Sequence, residues 1–180
     1  MTNLCSKTNK KILYLQKKKW LSNIEFDALL NLYGKILTPP RGIGMDECIF
    51  CRIVSGEIPS DGVYETGNVL AFLDIAPVQS GHVVLIPKLH YATLLDLPLV
   101  LGEELLRAQK RIAATLMNAL GADGVNIGMN INEAAGQLVY HAHFHLIPRY
   151  TGDNLDLWKQ GKYESSEAMA KVADKIRKHV

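Results

Sequence analysis

The sequence predicts an α+β domain in which an antiparallel β-sheet receives one long helix, with a short helix at its start and a helical tail at its end. Three observations carry that prediction. Short runs of alternating apolar and polar residues recur between turn residues. One stretch after Pro98 sets its apolar residues at helical spacing. Near the C-terminal third, Tyr140-His141-Ala142-His143-Phe144-His145-Leu146-Ile147-Pro148 alternates histidine with apolar side chains and ends in proline.

Taken in order, the first 19 residues hold six lysines and no acid. The apolar run Ile12–Leu15 is too short for a signal-peptide core. Leu29, Leu30, Leu32 and Tyr33 mark one side of a weak helix, and Thr38-Pro39-Pro40-Arg41-Gly42 is linker chemistry. Residues 1–44 therefore read as a basic extension, and residues 45–180 as the working domain with a C-terminal tail from about 151. Cys48–Val54 predicts one or two helical turns closed by Ser55-Gly56. Val63–Glu65 and Val69–Leu73 predict a hairpin around Thr66-Gly67-Asn68. His82–Ile86 predicts a third strand stopped by Pro87. Leu105, Leu106, Ile112, Ala113, Leu116, Met117 and Leu120 predict the core stripe of the long helix, which Gly121 ends. Val125, Ile127, Met129 and Ile131 alternate with Asn126, Gly128, Asn130 and Asn132, a fourth strand with one polar face. Ser165–Lys178 predicts a short amphipathic helix.

Composition narrows the function. The 180 residues suit one domain with room for an appendage, and 48% of them are hydrophobic, enough for a core. No apolar run approaches the roughly 20 residues of a membrane span. Three cysteines, Cys5, Cys48 and Cys51, do not make a disulfide scaffold, which points to a reducing, cytoplasmic setting. Residues 1–44 carry eight basic and two acidic residues, whereas residues 45–180 carry twelve basic and sixteen acidic. A body of that charge lacks the basic face a nucleic-acid reader needs.

Three of the six histidines fall within five residues. On a strand they share one face, opposite Ala142, Phe144 and Leu146. Imidazole serves as acid, base, nucleophile or metal ligand near neutral pH, so a row of imidazoles beside a good core strand reads as a site. Separately, Cys48-Ile49-Phe50-Cys51 is a CxxC whose two sulfurs are spaced to chelate one ion, zinc by preference.

Together these stretches resemble the histidine triad (HIT) family, whose signature alternates three histidines with apolar residues, here His141-Ala142-His143-Phe144-His145-Leu146-Ile147. Leu70-Ala71-Phe72-Leu73-Asp74-Ile75, Gly81-His82 with its strand to Pro87-Lys88, and Ala135-Gly136-Gln137 support it over about residues 45–150. The resemblance implies a HIT-like half-barrel, a homodimer, and a purine nucleotide substrate, in the branch that cleaves nucleoside phosphoramidates and related adenylates. In-line hydrolysis at phosphorus needs a nucleophile and donors around the phosphoryl oxygens. His143, flanked by both other histidines, is the nucleophile on this reading and in the family. His145 donates to the phosphate, with His82 beside the catalytic histidines. The resemblance also implies that a backbone carbonyl holds the nucleophile's other ring nitrogen.

By position in the family, Phe50, Ile53 and Leu73 line the base pocket, Ile75 lies beside the sugar and Asp74 bonds the ribose hydroxyls. Asn132, Gly136 and Gln137 surround the phosphate. Core packing for the apolar residues and turn capping for Asp74 are the competing readings. One departure stands out: Leu138 occupies a place where the family often has Ser or Thr. The family's bacterial-type members imply a structural zinc held by Cys48, Cys51, His90 and His141; two free thiols or a redox pair compete with it, and His82 is the rival fourth ligand. Three other functions stay open: diadenosine polyphosphate hydrolysis, a nucleotide-binding module with little turnover, and zinc-dependent hydrolysis. The last wants a carboxylate among the ligands, and the triad run contains none.

Overall fold

The computed structural model describes residues 47–180. The basic arm, its weak helix, the proline linker, Met45 and Cys5 lie outside the described residues. The first element is a short helix, α1 (Ile49–Val54), entered from an extended Cys48 and left through Gly56 at φ 79°. Strands β1 (Gly62–Glu65) and β2 (Val69–Leu73) form the expected hairpin. Its turn is tied by the Thr66 hydroxyl, which accepts from the N–H groups of Asn68 and Val69 at 3.3 and 3.2 Å. Strand β3 (Val83–Pro87) follows, then two 3-10 turns (Leu94–Asp96 and Leu99–Leu101) and the long helix α2 (Gly102–Leu120). Gly121 ends α2 in the left-handed conformation at φ 65°. Strands β4 (Gly124–Gly128) and β5 (Phe144–Arg149) and the tail helix α3 (Ser166–Arg177) complete the order.

The sheet runs β1-β2-β3-β5-β4 with every neighbouring pair antiparallel. Each face carries its own core. Against α2, Val69, Ala71, Val83, Leu85 and Leu146 meet Leu105, Ala108, Ile112 and Leu116. On the opposite face Phe72, Val84 and Ile86 meet Phe50 and Ile53 of α1. Full burial of each large side chain contributes about 1.5–3 kcal/mol. Because β5 alternates, Phe144 and Leu146 join the α2 core, which leaves His145 on the α1 face. Gly81, at φ 89°, enters β3 where a Cβ would collide with Leu120 Cδ1.

Four expectations are corrected. The core stripe of α2 is narrower than its apolar residues suggested: Leu106, Met117 and Leu120 are exposed, because only the Leu105-Ala108-Ile112-Leu116 line faces the sheet. Strand β4 stops at Gly128 instead of continuing to Asn132, and Asn132 takes a positive φ of 67° that no strand allows. The third strand begins at Val83, one residue after His82. The histidine strand begins only at Phe144. Before it, the His141 N–H turns back to the Val139 carbonyl at 2.8 Å and the Ala142 N–H reaches the Tyr91 carbonyl at 2.6 Å, so residues 140–143 leave the ladder. No helix among the described residues is long and apolar enough to cross a membrane.

Candidate active site

On the α1 face, the approach to β5 brings His141, His143 and His145 together with His82. His143 is buried, and its Nδ1–H donates to the carbonyl of His141 at 2.6 Å. A ring held this way carries its proton on Nδ1 and bears a lone pair on Nε2. The Phe50 ring stands edge-on to His143 at 5.3 Å and to His141 at 5.8 Å, so α1 buttresses the triad directly. Ile53 packs one turn further along, on Phe72 and its neighbours.

His145 and His82, 63 residues apart in sequence, meet at 2.9 Å between Nδ1 of the first and Nε2 of the second. The Val78 N–H donates to His82 Nδ1 at 3.3 Å, which makes Nε2 the protonated nitrogen of His82 and the donor to His145. His145 Nδ1 therefore accepts, and its own proton lies on Nε2. Asp74 lies beside this pair, with Oδ2 3.5 Å from His82 Nδ1, a contact that becomes an ion pair when His82 is protonated, while Oδ1 accepts from the Ala76 N–H at 2.9 Å. A carboxylate thus does reach the histidine cluster, from the end of β2. Asp74, His82 and His145 offer ligand atoms within 4.8 Å of one another, but the two imidazoles already engage each other. Burial first, and then the neighbouring His143 and His82, lower His145 to about 4. Burial also lowers His82, against the pull of Asp74.

The loop before the triad is organised by Gln137, whose side chain is 1% exposed. Its amide donates to the carbonyls of Ala92 at 2.7 Å and Val139 at 3.1 Å, and its Oε1 accepts from the Asn132 N–H at 2.8 Å. Gly136 sits at φ 90°, where a Cβ would press on Asn130. Asn132 contributes backbone atoms to this knot, whereas the Asn130 side chain crosses the loop to the Gly136 carbonyl at 3.4 Å. Asn130 escaped the sequence reading because alternation assigned it and Asn132 alike to one polar strand face. Leu73 and Ile75 lie at the exposed end of β2, with Ile75 98% exposed, and Leu138 is likewise exposed.

The second cluster joins Cys48, Cys51, His90 and His141, whose ligand atoms all lie within 4.8 Å of one another. His141 Nδ1 is 3.5 and 3.6 Å from the sulfurs of Cys48 and Cys51, and His90 Nδ1 is 3.3 Å from Cys51. Sulfur and nitrogen bound tetrahedrally to zinc at about 2.3 and 2.1 Å are about 3.5 Å apart, so the spacing fits that ion. His141 Nε2–H donates to the Pro87 carbonyl at 2.8 Å, which leaves Nδ1 bare toward the thiols, the outer-shell arrangement metal-binding histidines use. Burial, then the adjacent Cys48 thiol, push Cys51 up to about 12, and burial holds His141 down to about 4. His82, the rival fourth ligand, is engaged with His145 instead.

The HIT domain family model matches residues 55–152. An uncharacterised HIT-like protein of Methanocaldococcus jannaschii is 48% identical over 108 residues, 59% of this chain and 81% of that protein. An adenosine 5'-monophosphoramidase of Saccharomyces cerevisiae is 45% identical over 102 residues, 57% of this chain and 62% of that protein. An adenylylsulfatase of Arabidopsis thaliana is 38% identical over 110 residues, 61% and 56% of the two chains. Among solved structures, a Streptococcus mutans protein superposes with a TM-score of 0.71 at 40% identity, covering 77% of this chain and 88% of that one. A zinc-bound histidine triad family protein of Mycobacterium smegmatis superposes at 0.60 with 38% identity, over 73% of this chain and 99% of that one.

Proposed function

The chain belongs to the HIT domain family; with that as premise, we propose that it is a nucleotide hydrolase cleaving purine nucleoside phosphoramidates or adenylates through a nucleotidyl-His143 intermediate. The observation that carries the reading is the 2.6 Å bond from His143 Nδ1–H to the His141 carbonyl, since it leaves the opposite nitrogen free to attack phosphorus. In the first step His143 Nε2 bonds to the α-phosphorus and the P–N or P–O bond to the leaving group breaks. The leaving group takes a proton from His145, protonated when the phosphate charge offsets the burial that otherwise holds it near 4. In the second step water attacks phosphorus, returns a proton to His145 and frees neutral His143. The two relatives named above for an activity, an adenosine 5'-monophosphoramidase and an adenylylsulfatase, support this class.

In this reading Asp74 bonds the ribose, Phe50, Ile53 and Leu73 line the base, Ile75 flanks the sugar, and Asn132 and Gly136 border the phosphate. Cys48, Cys51, His90 and His141 hold a structural zinc. Bound there, the ion cross-links α1, the segment after β3 and the loop before β5, and four protein ligands leave no position for catalytic water. Residues 1–44 are an extension outside the catalytic unit. The protein is a homodimer, a state supported by β4 lying at a sheet edge with Ile127 exposed.

The test compares an adenosine phosphoramidate with a diadenosine polyphosphate, for wild type and His143→Ala side by side, with acid quench to trap nucleotidylated protein. Wild type should turn over the phosphoramidate and yield the trapped species. The variant should lose turnover by a factor of about a thousand or more while keeping nucleotide affinity. Equal activity of the two proteins, with no trapped species, refutes the mechanism. Preference for the polyphosphate moves the substrate class and leaves the nucleophile in place.

A further inference from the structure

The geometry points to Gln137 as the positioning residue of the nucleophile, acting through the loop backbone from Val139 to Ala142 and not by touching substrate. This rests on the proposed role of His143. Two facts exclude the simpler assignment as a phosphate donor: the side chain is 1% exposed, and both amide protons go to protein carbonyls, those of Ala92 and Val139.

What those bonds hold is the stretch that has left the sheet. Residues 140–143 have no ladder of their own, so their path depends on the few bonds that replace it. The Val139 carbonyl accepts from Gln137 Nε2 at 3.1 Å and from the His141 N–H at 2.8 Å. The next carbonyl that matters, His141's, receives the His143 Nδ1 proton at 2.6 Å. One side-chain amide therefore anchors the Val139 carbonyl on which the His141 N–H rests, one peptide before the carbonyl that decides which nitrogen of His143 is nucleophilic.

The second amide proton anchors the same group to Ala92, next to Tyr91, whose carbonyl takes the Ala142 N–H at 2.6 Å. Both sides of the nucleophile's loop thus lean on the segment that follows β3. The third bond, from Asn132 N–H to Gln137 Oε1, holds Asn132 at φ 67° and ψ 165°. That region is nearly confined to glycine, and a non-glycine residue persists there only where its surroundings over-determine it. The Gln137 N–H adds to this by donating to the Asn132 carbonyl at 3.1 Å.

Gln137→Glu keeps the shape and the acceptor for Asn132 but sets a carboxylate oxygen against two carbonyls; Gln137→Met keeps the volume and removes all three bonds. Two measurements decide the matter. The first is 15N NMR of the His143 ring in the free protein: wild type should show the Nδ1–H form alone, and the variants a mixture of tautomers. The second is steady-state kinetics, where kcat should fall about a hundredfold, the scale of a small misplacement of a reacting group, with KM within twofold. A folded variant with unchanged His143 tautomer, intact kcat and a tenfold higher KM overturns the assignment and makes Gln137 a substrate contact. The tautomer readout needs no turnover, so a failure of the hydrolase reading is distinguishable from a failure of this one. If neither variant folds, the Gln137 amide protons of wild type still decide: they should exchange slowly and keep their shifts on saturation with adenosine monophosphate, and a large shift on binding refutes the proposal.

Discussion

Lowering the pH from 7 to 5 in the presence of a chelator should destabilise this protein by about 3 kcal/mol, through histidines that fold only as neutral rings. His141 and His145 are held at about 4 in the folded chain against an ordinary value of 6.5, His141 chiefly by burial and His145 by burial and its histidine neighbours. Between those values the unfolded chain binds more protons than the folded one, so stability rises with pH up to about 6.5 and falls as pH drops toward 4. A ring shifted from 6.5 to about 4 contributes about 2 kcal/mol between pH 7 and pH 5. His141 is fully buried and takes that figure. His145 is partly exposed, so solvent screening leaves it about half as much. His82 and His90 shift in the same direction and add to the effect. Staying above pH 5 keeps most carboxylates ionised in both states. The assay is urea unfolding at half-unit pH steps, read as the slope of unfolding free energy against pH. His141→Gln should flatten the slope by about one proton, and His145→Gln by about half as much. Stability that is flat or rises as pH falls, or a His141→Gln slope equal to wild type, refutes the reasoning.

Three other predictions follow from particular residues. Cys48→Ser should reduce bound zinc from one per chain to well below one and lower the unfolding midpoint, because it removes a sulfur from the cluster that ties α1 to the sheet; elemental analysis of dialysed protein with thermal unfolding checks both. Gly81→Ala should cost about 2 kcal/mol, since alanine is strained at φ 89° and its Cβ must displace Leu120; adding Leu120→Ala should recover only the steric part, as denaturant unfolding will show. Asn132→Gly should stabilise the fold by about 1 kcal/mol by relieving the strain at φ 67° and ψ 165°, and a matching rise in KM would show that the asparagine side chain also meets substrate.

The fold was legible because its signals are local. Apolar runs bounded by turn residues and Pro87 marked β1, β2 and β3, alternation marked β4 and the body of β5, helical spacing with Gly121 marked α2, and amphipathic spacing marked α3. Where local signals misled, a partner elsewhere had intervened. Alternation through His141 and His143 is genuine, yet carbonyls of Tyr91 and Val139 captured the backbone N–H groups first, and the strand begins late. The run Val125–Asn132 alternates throughout, but the Gln137 side chain and backbone hold Asn132 out of the sheet.

By itself the sequence determined the order of elements, the two histidine- and cysteine-bearing segments and the residue types available for chemistry, because periodicity and composition are properties of neighbours along the chain. Only the tertiary structure decided which ring nitrogen of His143 keeps its proton, that Val78 sets His82 and through it His145, and that Asp74 lies beside that pair. It also decided that His141 serves both clusters, its Nδ1 facing the thiols and its carbonyl the nucleophile. Those outcomes depend on hydrogen bonds of about 3 Å between atoms from distant segments, and a tautomer follows from what stands opposite each nitrogen in space, which no spacing along the chain records.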